Sequence, residues 1–489
     1  MKEQAKRQRK SCFCVALLLI EELLAMLQLN LSLLLGFILG GTLSAEILLG
    51  VSPRHSHDNA YEIARWEGKA KPVPRGWVGH PVDLVGISMG GAQNWGSIAE
   101  YGVSFLEEDC GWAGAEGKEN IELSIALFPN GWKVGATGWQ RALLNKSPNP
   151  VAEADKSLSK YERLNQGALP YLEYYRQLAV NLIVKGYGHS ILRLGWEYNG
   201  EWFEWGDKKD LGPILVKGET YNHARAYREL FGQVHDAMMA VEGANFRWSW
   251  CTAVGAKGYR NPDGTSIDYM AWFPGVDKVD FISADYYDDE VRFYPGLVEG
   301  LNQETKLRLT WLTYLLQVEG VEVGLAPLLE DVGVEMNGRY PWAAHEFPVE
   351  QLNALNAEVF PTMDSLREFL VGKSYVTRGR QGLQWFRDLA VEKGLGFLVS
   401  EWGVWQNDPF EKPQIHYTGE DNPDFIKNFH AWLSRNDIPG QIVGAIYFEE
   451  FNDLSRAGAR KGFNHSLLEG GVFPKSRQAY VDYFQKKGF

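Results

Sequence analysis

Eight apolar runs of strand length alternate with longer segments, and this alternation constrains the fold more than any other feature of the 489-residue sequence. The runs lie at residues 82–88, 102–107, 121–127, 190–197, 246–250, 279–286, 396–401 and 442–448. Helical periodicity lies between several of them, at 161–185, 221–241, 379–393 and 424–435, and again at 472–485. Eight strands alternating with helices predict an α/β fold, a (β/α)8 TIM barrel, whose active site lies at the C-terminal ends of the strands.

The first 45 residues have the pattern of a targeting segment. A basic stretch precedes a Leu-rich run in which 23–41 carries no charge and is long enough to cross a bilayer. A small-residue stretch ending at Ala45 suits a cleavage site, so we expect a signal peptide over 1–45 and secretion, while a signal anchor in the membrane and a misassigned start remain alternatives. Residues 46–81 are polar and contain His and Pro, so we interpret them as a linker before a barrel domain at 82–489.

A long insertion interrupts the barrel pattern after the sixth predicted strand. Residues 289–377 separate this strand from its helix, and such a segment is much longer than an ordinary connection. It fits a lid, a small subdomain or translated non-coding sequence.

Charge and composition exclude several classes of partner. A net charge of −13 argues against nucleic acid and anionic membrane surfaces, which need a basic face. No P-loop, dinucleotide fingerprint or Cys/His zinc spacing occurs, so no cofactor and no metal are expected. Cys110 and Cys251 are the cysteines of the barrel region, and one disulfide or two free thiols are both compatible with the sequence. We expect the protein to act as a monomer on a neutral polymer.

The carboxylate of Glu197 ends the fourth predicted strand within the stretch I-L-R-L-G-W-E-Y-N-G-E-W-F-E-W-G. Aromatic rings that follow such a carboxylate suit sugar chemistry, because they stack on pyranose faces while the acid moves protons in a partly dry site. The alternative is an edge strand whose aromatic side chains only pack the core.

A second carboxylate, Glu401, ends the seventh predicted strand in the same way, in G-F-L-V-S-E-W-G-V-W. Hydrolysis of a glycosidic bond with retention needs two carboxyl groups about 5 to 5.5 Å apart. Strands four and seven of a barrel can supply this pair. Glu335, in a near copy of the Glu197 stretch, is a rival, but too few residues separate it from Glu401 for three βα units.

Further side chains near the two strand ends are candidates for substrate binding or support. Arg193 is expected to keep a carboxylate charged, or to form a structural ion pair. Asn199 is expected to bind a sugar hydroxyl or to cap a turn. Stacking on sugar rings is predicted for tryptophans, with core packing as the alternative for each: Trp202, Trp205, Trp248, Trp402 and Trp405.

Three motifs in order, namely the Glu197 stretch, F-P-G-V-D-K-V-D-F-I-S-A-D-Y-Y-D and L-V-S-E-W-G, resemble glycoside hydrolase family 26, the β-mannanase family of a retaining (β/α)8 clan. The resemblance runs from about residue 82 to the C-terminus, without the insertion. It implies that Glu197 is the acid/base and Glu401 the nucleophile. It also implies that a Tyr ending strand six steadies the nucleophile, and this maps to Tyr286 in preference to Tyr287.

One position departs from the family pattern. Mannanases of this family usually have His directly before the acid/base, where this sequence has Trp196, which we expect to contact the sugar. The resemblance implies hydrolysis of β-1,4-mannan in endo fashion. Alternatives are a β-1,3-xylanase or a mixed-linkage β-glucanase on the same barrel, and a non-catalytic carbohydrate-binding protein, which would keep the tryptophans and lose one carboxylate.

Overall fold

The structure is a computed structural model of the whole chain. It describes residues 47–53, 83–88, 94–101, 121–129, 132–200, 202–206, 211–254, 268–287, 321–323, 376–378, 382–404, 421–435, 442–449, 466–467 and 473–485.

Eight parallel strands close into a barrel, which confirms the predicted fold. The strands are β1 (Leu48–Pro53), β2 (Leu84–Ser88), β3 (Ile121–Ile125), β4 (Ile191–Leu194), β7 (Arg247–Ala253), β8 (Phe281–Tyr287), β11 (Gly396–Gly403) and β12 (Ile442–Glu449). Pairing between β1 and β12 closes the barrel. In this order β3 and β11 lie on opposite sides, four strands apart in either direction.

Two short hairpins lie outside the barrel sheet. Strands β5 (Ile214–Val216) and β6 (Glu219–Tyr221) pair antiparallel between β4 and its helix. Strands β9 (Val321–Val323) and β10 (Val376–Arg378) pair antiparallel within the insertion. The other residues of 289–377 lie outside the described part of the chain.

Helices follow the barrel strands at positions close to the predicted ones. The α-helices span Ala136–Leu143, Pro150–Ala154, Lys160–Asn165, Tyr171–Val184, His223–Met239, Leu383–Lys393, Pro423–Arg435 and Pro474–Tyr480. Single turns of other helix types lie at Ser97–Tyr101, Tyr269–Ala271 and Val481–Gln485. No helix of the described residues is long and apolar enough to span a membrane.

The first barrel strand corrects the predicted domain boundary. β1 lies inside 46–81, so the interpretation of that segment as a linker is wrong for its first residues, and the barrel begins before residue 82. The strand is hard to see in the sequence because its apolar residues directly continue the Leu-rich targeting run. The predicted second strand at 102–107 and the targeting segment at 1–45 lie outside the described residues.

Alternation along the strands divides the side chains between two layers. On β7, Trp248 and Trp250 point outward toward the helices, where Trp248 meets Phe231 with ring centroids 6.0 Å apart. Ser249 and Cys251 point into the barrel, where their partners lie on neighbouring strands. Burying an indole such as Trp248, which is 1% exposed, stabilises the fold by roughly 2 to 3 kcal/mol. The outer layer therefore packs the barrel against its helices, while the inner face of β7 carries polar side chains.

Candidate active site

Glu197 lies just beyond the C-terminal end of β4 in a left-handed backbone conformation, with φ of 51°. Gly195 precedes it with φ of 55°, so the chain turns sharply as it leaves the strand. The Glu197 backbone N–H donates to the carbonyl of Cys251 on β7 at 3.1 Å, which anchors this turn. A non-glycine residue with positive φ costs of order 1 kcal/mol or more and persists only where its surroundings fix it, often at functional sites.

The indole N–H of Trp202 donates to Oε2 of Glu197 at 2.6 Å. Trp202 is 47% exposed, so it lies at the open side of the carboxylate. The loop that carries it is tightly folded: the Gly200 N–H donates to the Glu197 carbonyl, and a Cβ on Gly200 would lie 2.3 Å from the Trp202 ring. Glycine at position 200 is therefore what allows the indole to reach back to the acid.

Glu401 lies at a bulge in β11, where Ser400 and Glu401 together oppose the single residue Asp285 of β8. Its Oε1 accepts a hydrogen bond from the Arg193 guanidinium, and its Oε2 accepts one from the Tyr287 hydroxyl at 2.6 Å. Both oxygens are thus held, one of them by a buried cation. Such donors stabilise an ionised carboxylate and fix its direction.

Arg193 connects three strands at the base of the site. It is 3% exposed, and its Nη1 donates to Oδ1 of Asp285 at 2.6 Å while its Nε donates to Oγ of Ser124 at 2.8 Å. With the contact to Glu401, the guanidinium pairs with two carboxylates at once. The side chain therefore steadies the carboxylates from beneath. It was predicted both as a partner of a carboxylate and as a substrate-binding residue, and the contacts fit the first role.

The carboxylates of Glu197, Asp285 and Glu401 converge, with one oxygen of each within 4.8 Å of the others. Burial, together with repulsion from Glu401, raises the pKa of Glu197 to about 7, although the Trp202 N–H and Arg193 oppose the shift. Burial also raises the pKa of Asp285, against the attraction of Arg193. Glu197 thus holds a proton near neutral pH beside a carboxylate that is paired with a cation, the division of roles that acid and nucleophile require.

The same three oxygens are close enough for one cation to bridge them. In the described site the Arg193 guanidinium forms hydrogen bonds with both Asp285 and Glu401, so one positive charge is shared between two carboxylates.

The tyrosine beside Glu401 is Tyr287, and the preference for Tyr286 is wrong. Tyr286 points to the other side of β8, where its ring stacks on Phe425 with centroids 5.0 Å apart. Side chains alternate along a strand, so Tyr287 shares the inner face with Asp285 and Tyr286 does not. Had Asp285 been taken as an inward residue, this parity would have selected Tyr287 from the sequence.

Stacking on sugar is also wrong for three of the predicted tryptophans. Trp248 and Trp402 are each 1% exposed and point outward from β7 and β11, where Trp402 packs on Phe429 at 4.3 Å. Trp205 is 2% exposed, and its indole N–H donates to the carbonyl of Trp196. Trp202 is the accessible one among the candidates that the structure describes, and Trp405 lies outside the described residues.

Trp196 and Asn199 hold the loop after β4 in place. Trp196 is 4% exposed and packs against Phe203 and Trp205 at 4.7 and 4.8 Å, so the prediction that it contacts the sugar is wrong. Asn199 is 3% exposed, and its amide exchanges two hydrogen bonds with the backbone of Ala253 at the end of β7. Both the nitrogen and the oxygen of the Asn199 amide are therefore used to hold the loop, and not to bind sugar.

Sequence reasoning missed the inner polar residues that support the site. Ser124 accepts from Arg193, and Cys251 lies with its Sγ 3.3 Å from Asp285. Glu122 is buried in the barrel interior beside Ser400. A signal existed in the spacing, since Glu122 and Ser124 alternate with buried apolar residues on β3 and so share the inner face. The thiol of Cys251 is free, and Cys110 lies outside the described residues.

One protein-family model matches part of the chain. Residues 187–311 match the model of Glycosyl hydrolase family 26, which confirms the resemblance predicted from the motifs. The match includes Glu197, Asp285 and Tyr287, while Glu401 lies beyond it. No curated protein sequence matches the chain.

Several solved structures are similar to the chain at low identity. The catalytic domain of the Bacillus sp. JAMB-750 GH26 endo-β-1,4-mannanase is 16% identical, with 90% of this chain and 86% of that chain covered and a TM-score of 0.42. A double mutant of the Cellulomonas fimi endo-β-1,4-mannanase is 15% identical, with 93% and 73% covered and a TM-score of 0.44.

Proposed function

We propose that this protein is a retaining endo-β-glycosidase that hydrolyses β-1,4-mannan by double displacement. The observation that carries the proposal is the convergence of Glu197 and Glu401, since one carboxylate oxygen of Glu197 lies within 4.8 Å of one of Glu401. Retaining enzymes hold their carboxyl groups about 5 to 5.5 Å apart, whereas inverting enzymes leave 6.5 Å or more for a water. The family 26 segment and the motifs support mannan as the polymer.

In the first step the ionised Glu401 attacks the anomeric carbon, forming a C–O ester bond while the glycosidic C–O bond breaks. Glu197, protonated because its pKa is raised to about 7, gives its proton to the departing oxygen. Esterification removes the charge of Glu401, so repulsion falls and the pKa of Glu197 drops. Glu197 then takes a proton from water as the water attacks the anomeric carbon, and Glu401 leaves as a carboxylate.

Trp202 faces the leaving-group side in this scheme, because it binds the carboxylate that protonates the leaving oxygen. Its exposed ring can stack on the sugar that departs. The enzyme is proposed to act as a secreted monomer, with anchoring in the membrane by the N-terminal segment as the alternative; both rest on the sequence alone.

The test is release of reducing ends by the full-length protein from β-1,4-mannan, β-1,3-xylan and mixed-linkage β-glucan. Wild type should cleave mannan fastest, and Glu401→Ala and Glu197→Ala should each lose at least about 1,000-fold while folding normally. With 2,4-dinitrophenyl β-mannobioside, whose leaving group needs no proton, azide should rescue Glu197→Ala and yield the β-configured glycosyl azide. No cleavage of any of the three polymers by a folded wild type would favour the non-catalytic carbohydrate-binding alternative.

A preference for β-1,3-xylan or β-glucan over mannan would keep the mechanism and change the substrate. Trp196 motivates this arm of the test, because it replaces the histidine usual in family mannanases and lies buried with Arg193 over its ring, 5.7 Å from the ring centroid.

A further inference from the structure

Glu122 is a buried carboxyl in the barrel interior that the mechanism above does not use. It lies on β3, is 1% exposed, and its Oε1 accepts a hydrogen bond from the hydroxyl of Ser400 at 2.7 Å. Because β3 and β11 are opposite strands, this bond crosses the barrel. Barrel interiors are usually filled by branched apolar side chains, so a carboxyl at this position needs a specific partner to offset its burial.

The partner Ser400 is half of the bulge that carries Glu401. On a regular strand two consecutive side chains point to opposite faces. Here both residues of the bulge have partners in the barrel interior, Ser400 in Glu122 and Glu401 in Arg193 and Tyr287. A bulge re-aims side chains in this way and leaves its extra residue without a partner in the strand ladder. The hydroxyl of Ser400 gives that residue a side-chain partner in Glu122.

The surroundings of Glu122 shift its pKa in opposite directions, with burial as the largest cause. Burial raises its pKa, Arg193 and the Ser400 hydroxyl oppose the shift, and the charge of Glu401 adds to it. Serines occupy the same inner layer, where Ser249 and Ser283 share a hydrogen bond of 2.5 Å. This layer is a set of short, buried hydrogen bonds directly below the reacting carboxylates, and such networks hold their members rigidly when every group is paired.

We infer that Glu122 is a positioning residue for the nucleophile, because its bond across the barrel to Ser400 fixes the bulge and thereby the direction of Glu401. The inference rests on the proposed function in one respect, the role of Glu401 as nucleophile. Misplacing a reacting group by about 1 Å can lower a rate on the order of 100-fold, so a lost anchor should be visible in kcat.

The kinetic test uses 2,4-dinitrophenyl β-mannobioside, for which formation of the ester depends on Glu401 and not on a proton from Glu197. Glu122→Leu and Ser400→Ala should each lower kcat about 10-fold or more with KM nearly unchanged. Glu122→Gln keeps an acceptor of the same shape for Ser400 and should restore at least half of the wild-type kcat. The double variant Glu122→Leu/Ser400→Ala should be no slower than the slower single variant, because both remove one bond.

The matched control is Ser190→Ala, which removes a fully buried hydroxyl just before β4 that has no hydrogen-bond partner among the described residues, and it should keep the wild-type kcat. Ser283 is not suitable as a control, because it bonds Ser249, which in turn bonds Glu122. An equal loss in Ser190→Ala, or multiplicative losses in the double variant, would overturn the inference. If Glu122→Leu does not fold, the kcat values of Ser400→Ala and Glu122→Gln still test the inference. A wild-type kcat in Ser400→Ala would overturn it.

A crystal structure of Ser400→Ala tests the inference without relying on activity. The Glu401 carboxylate should leave the Tyr287 hydroxyl or the Arg193 guanidinium. A carboxylate in its wild-type position would overturn the positioning role even if the protein cleaves none of the polymers. Conversely, a displaced carboxylate in a protein that cleaves none of them would uphold the geometry and reject the proposed function.

Discussion

The hydroxyl of Tyr287 donates a 2.6 Å hydrogen bond to Oε2 of Glu401, so the proposed nucleophile is held by a neutral donor on one oxygen and by Arg193 on the other. The hydrogen bond from a neutral donor weakens as the Glu401 carboxylate gives up its negative charge on forming the sugar ester. A lysine in the place of the tyrosine would attract that charge more strongly and would oppose ester formation. Tyr286 is the adjacent residue, but its ring points to the outer side of β8 and stacks on Phe425.

This pair of tyrosines gives a matched test of the nucleophile's support. Tyr287→Phe should lower kcat about 10- to 100-fold, since a hydrogen bond to a charged group contributes about 1.5 to 3 kcal/mol. Tyr286→Phe removes the same atom from the adjacent residue and should change kcat less than about twofold. Steady-state kinetics on an aryl β-mannobioside measures both, and equal losses in the two variants would count against the assignment of Tyr287.

The pH dependence of kcat/KM reports the proton on Glu197. Its pKa is raised to about 7, so the acid form that donates the proton is lost as the pH rises through 7, and activity on mannan should fall on that side. The Trp202 N–H favours the ionised form of the carboxylate. Trp202→Phe should therefore move the alkaline limit upward by about one pH unit, because removing a hydrogen bond to a charged group is equivalent to roughly that shift.

The measurement is a pH profile of kcat/KM on mannan between pH 4 and 10 for wild type and for Trp202→Phe. Trp432→Phe is the control, since the Trp432 indole donates to the side chain of Gln384 on a neighbouring helix and not to the carboxylate or its loop. An alkaline limit that stays in place in Trp202→Phe would show that the indole does not set the proton affinity of Glu197.

The proposed catalytic pair could be predicted from the sequence because barrel strands are spaced regularly, and Glu197 does follow strand four while Glu401 lies on strand seven. The count reached this result because the missed β1 was offset by the run predicted at 102–107, since β2 pairs directly with β3. The directions of neighbouring side chains follow strand parity, which would have placed Trp248 in the outer layer. The bulge at Ser400 breaks that parity and depends on contacts across the barrel, so local sequence does not contain it. β1 was missed for a different reason, since its apolar residues merge with the run before it.

Removing the buried cation should destabilise the fold in a pH-dependent way. Arg193→Met leaves Asp285 and Glu401 buried without their partner, which should cost about 3 to 5 kcal/mol in the free energy of unfolding at pH 8. Unpaired buried carboxyls have a raised pKa in the folded state, so their stability contribution is present at low pH and lost as the pH rises. The deficit should therefore shrink at pH 5.

Urea denaturation at pH 5 and pH 8 measures this difference. The control is Arg225→Met, which removes an exposed arginine whose partner Glu219 lies at 2.7 Å on the surface. An exposed pair contributes about 0 to 1 kcal/mol, so this variant should lose little at either pH. A deficit in Arg193→Met that is the same at both pH values would mean that its cost is lost packing and not unpaired charge.

Substituting Trp196 separates packing from specificity. Trp196 is buried against Phe203 and Trp205, so Trp196→His removes much of a packed indole and should lower the free energy of unfolding by about 2 to 4 kcal/mol. Because the side chain is only 4% exposed, we expect it not to contact the sugar, and the loss of activity should be similar on mannan, xylan and β-glucan. The packing of Trp196 supports the loop that brings Trp202 to Glu197. The alkaline limit of kcat/KM in Trp196→His should therefore move upward, as in Trp202→Phe.

Trp202→Ala provides the contrast, since its half-exposed ring contributes little to stability but is placed to stack on substrate. It should raise KM on polymeric substrate while changing the free energy of unfolding by less than about 1 kcal/mol. Relative rates on the three polymers and urea denaturation curves distinguish the two variants. A gain of activity on mannan alone in Trp196→His would mean that the side chain at position 196 contacts the sugar. The Trp196 ring would then have to leave its buried position during turnover.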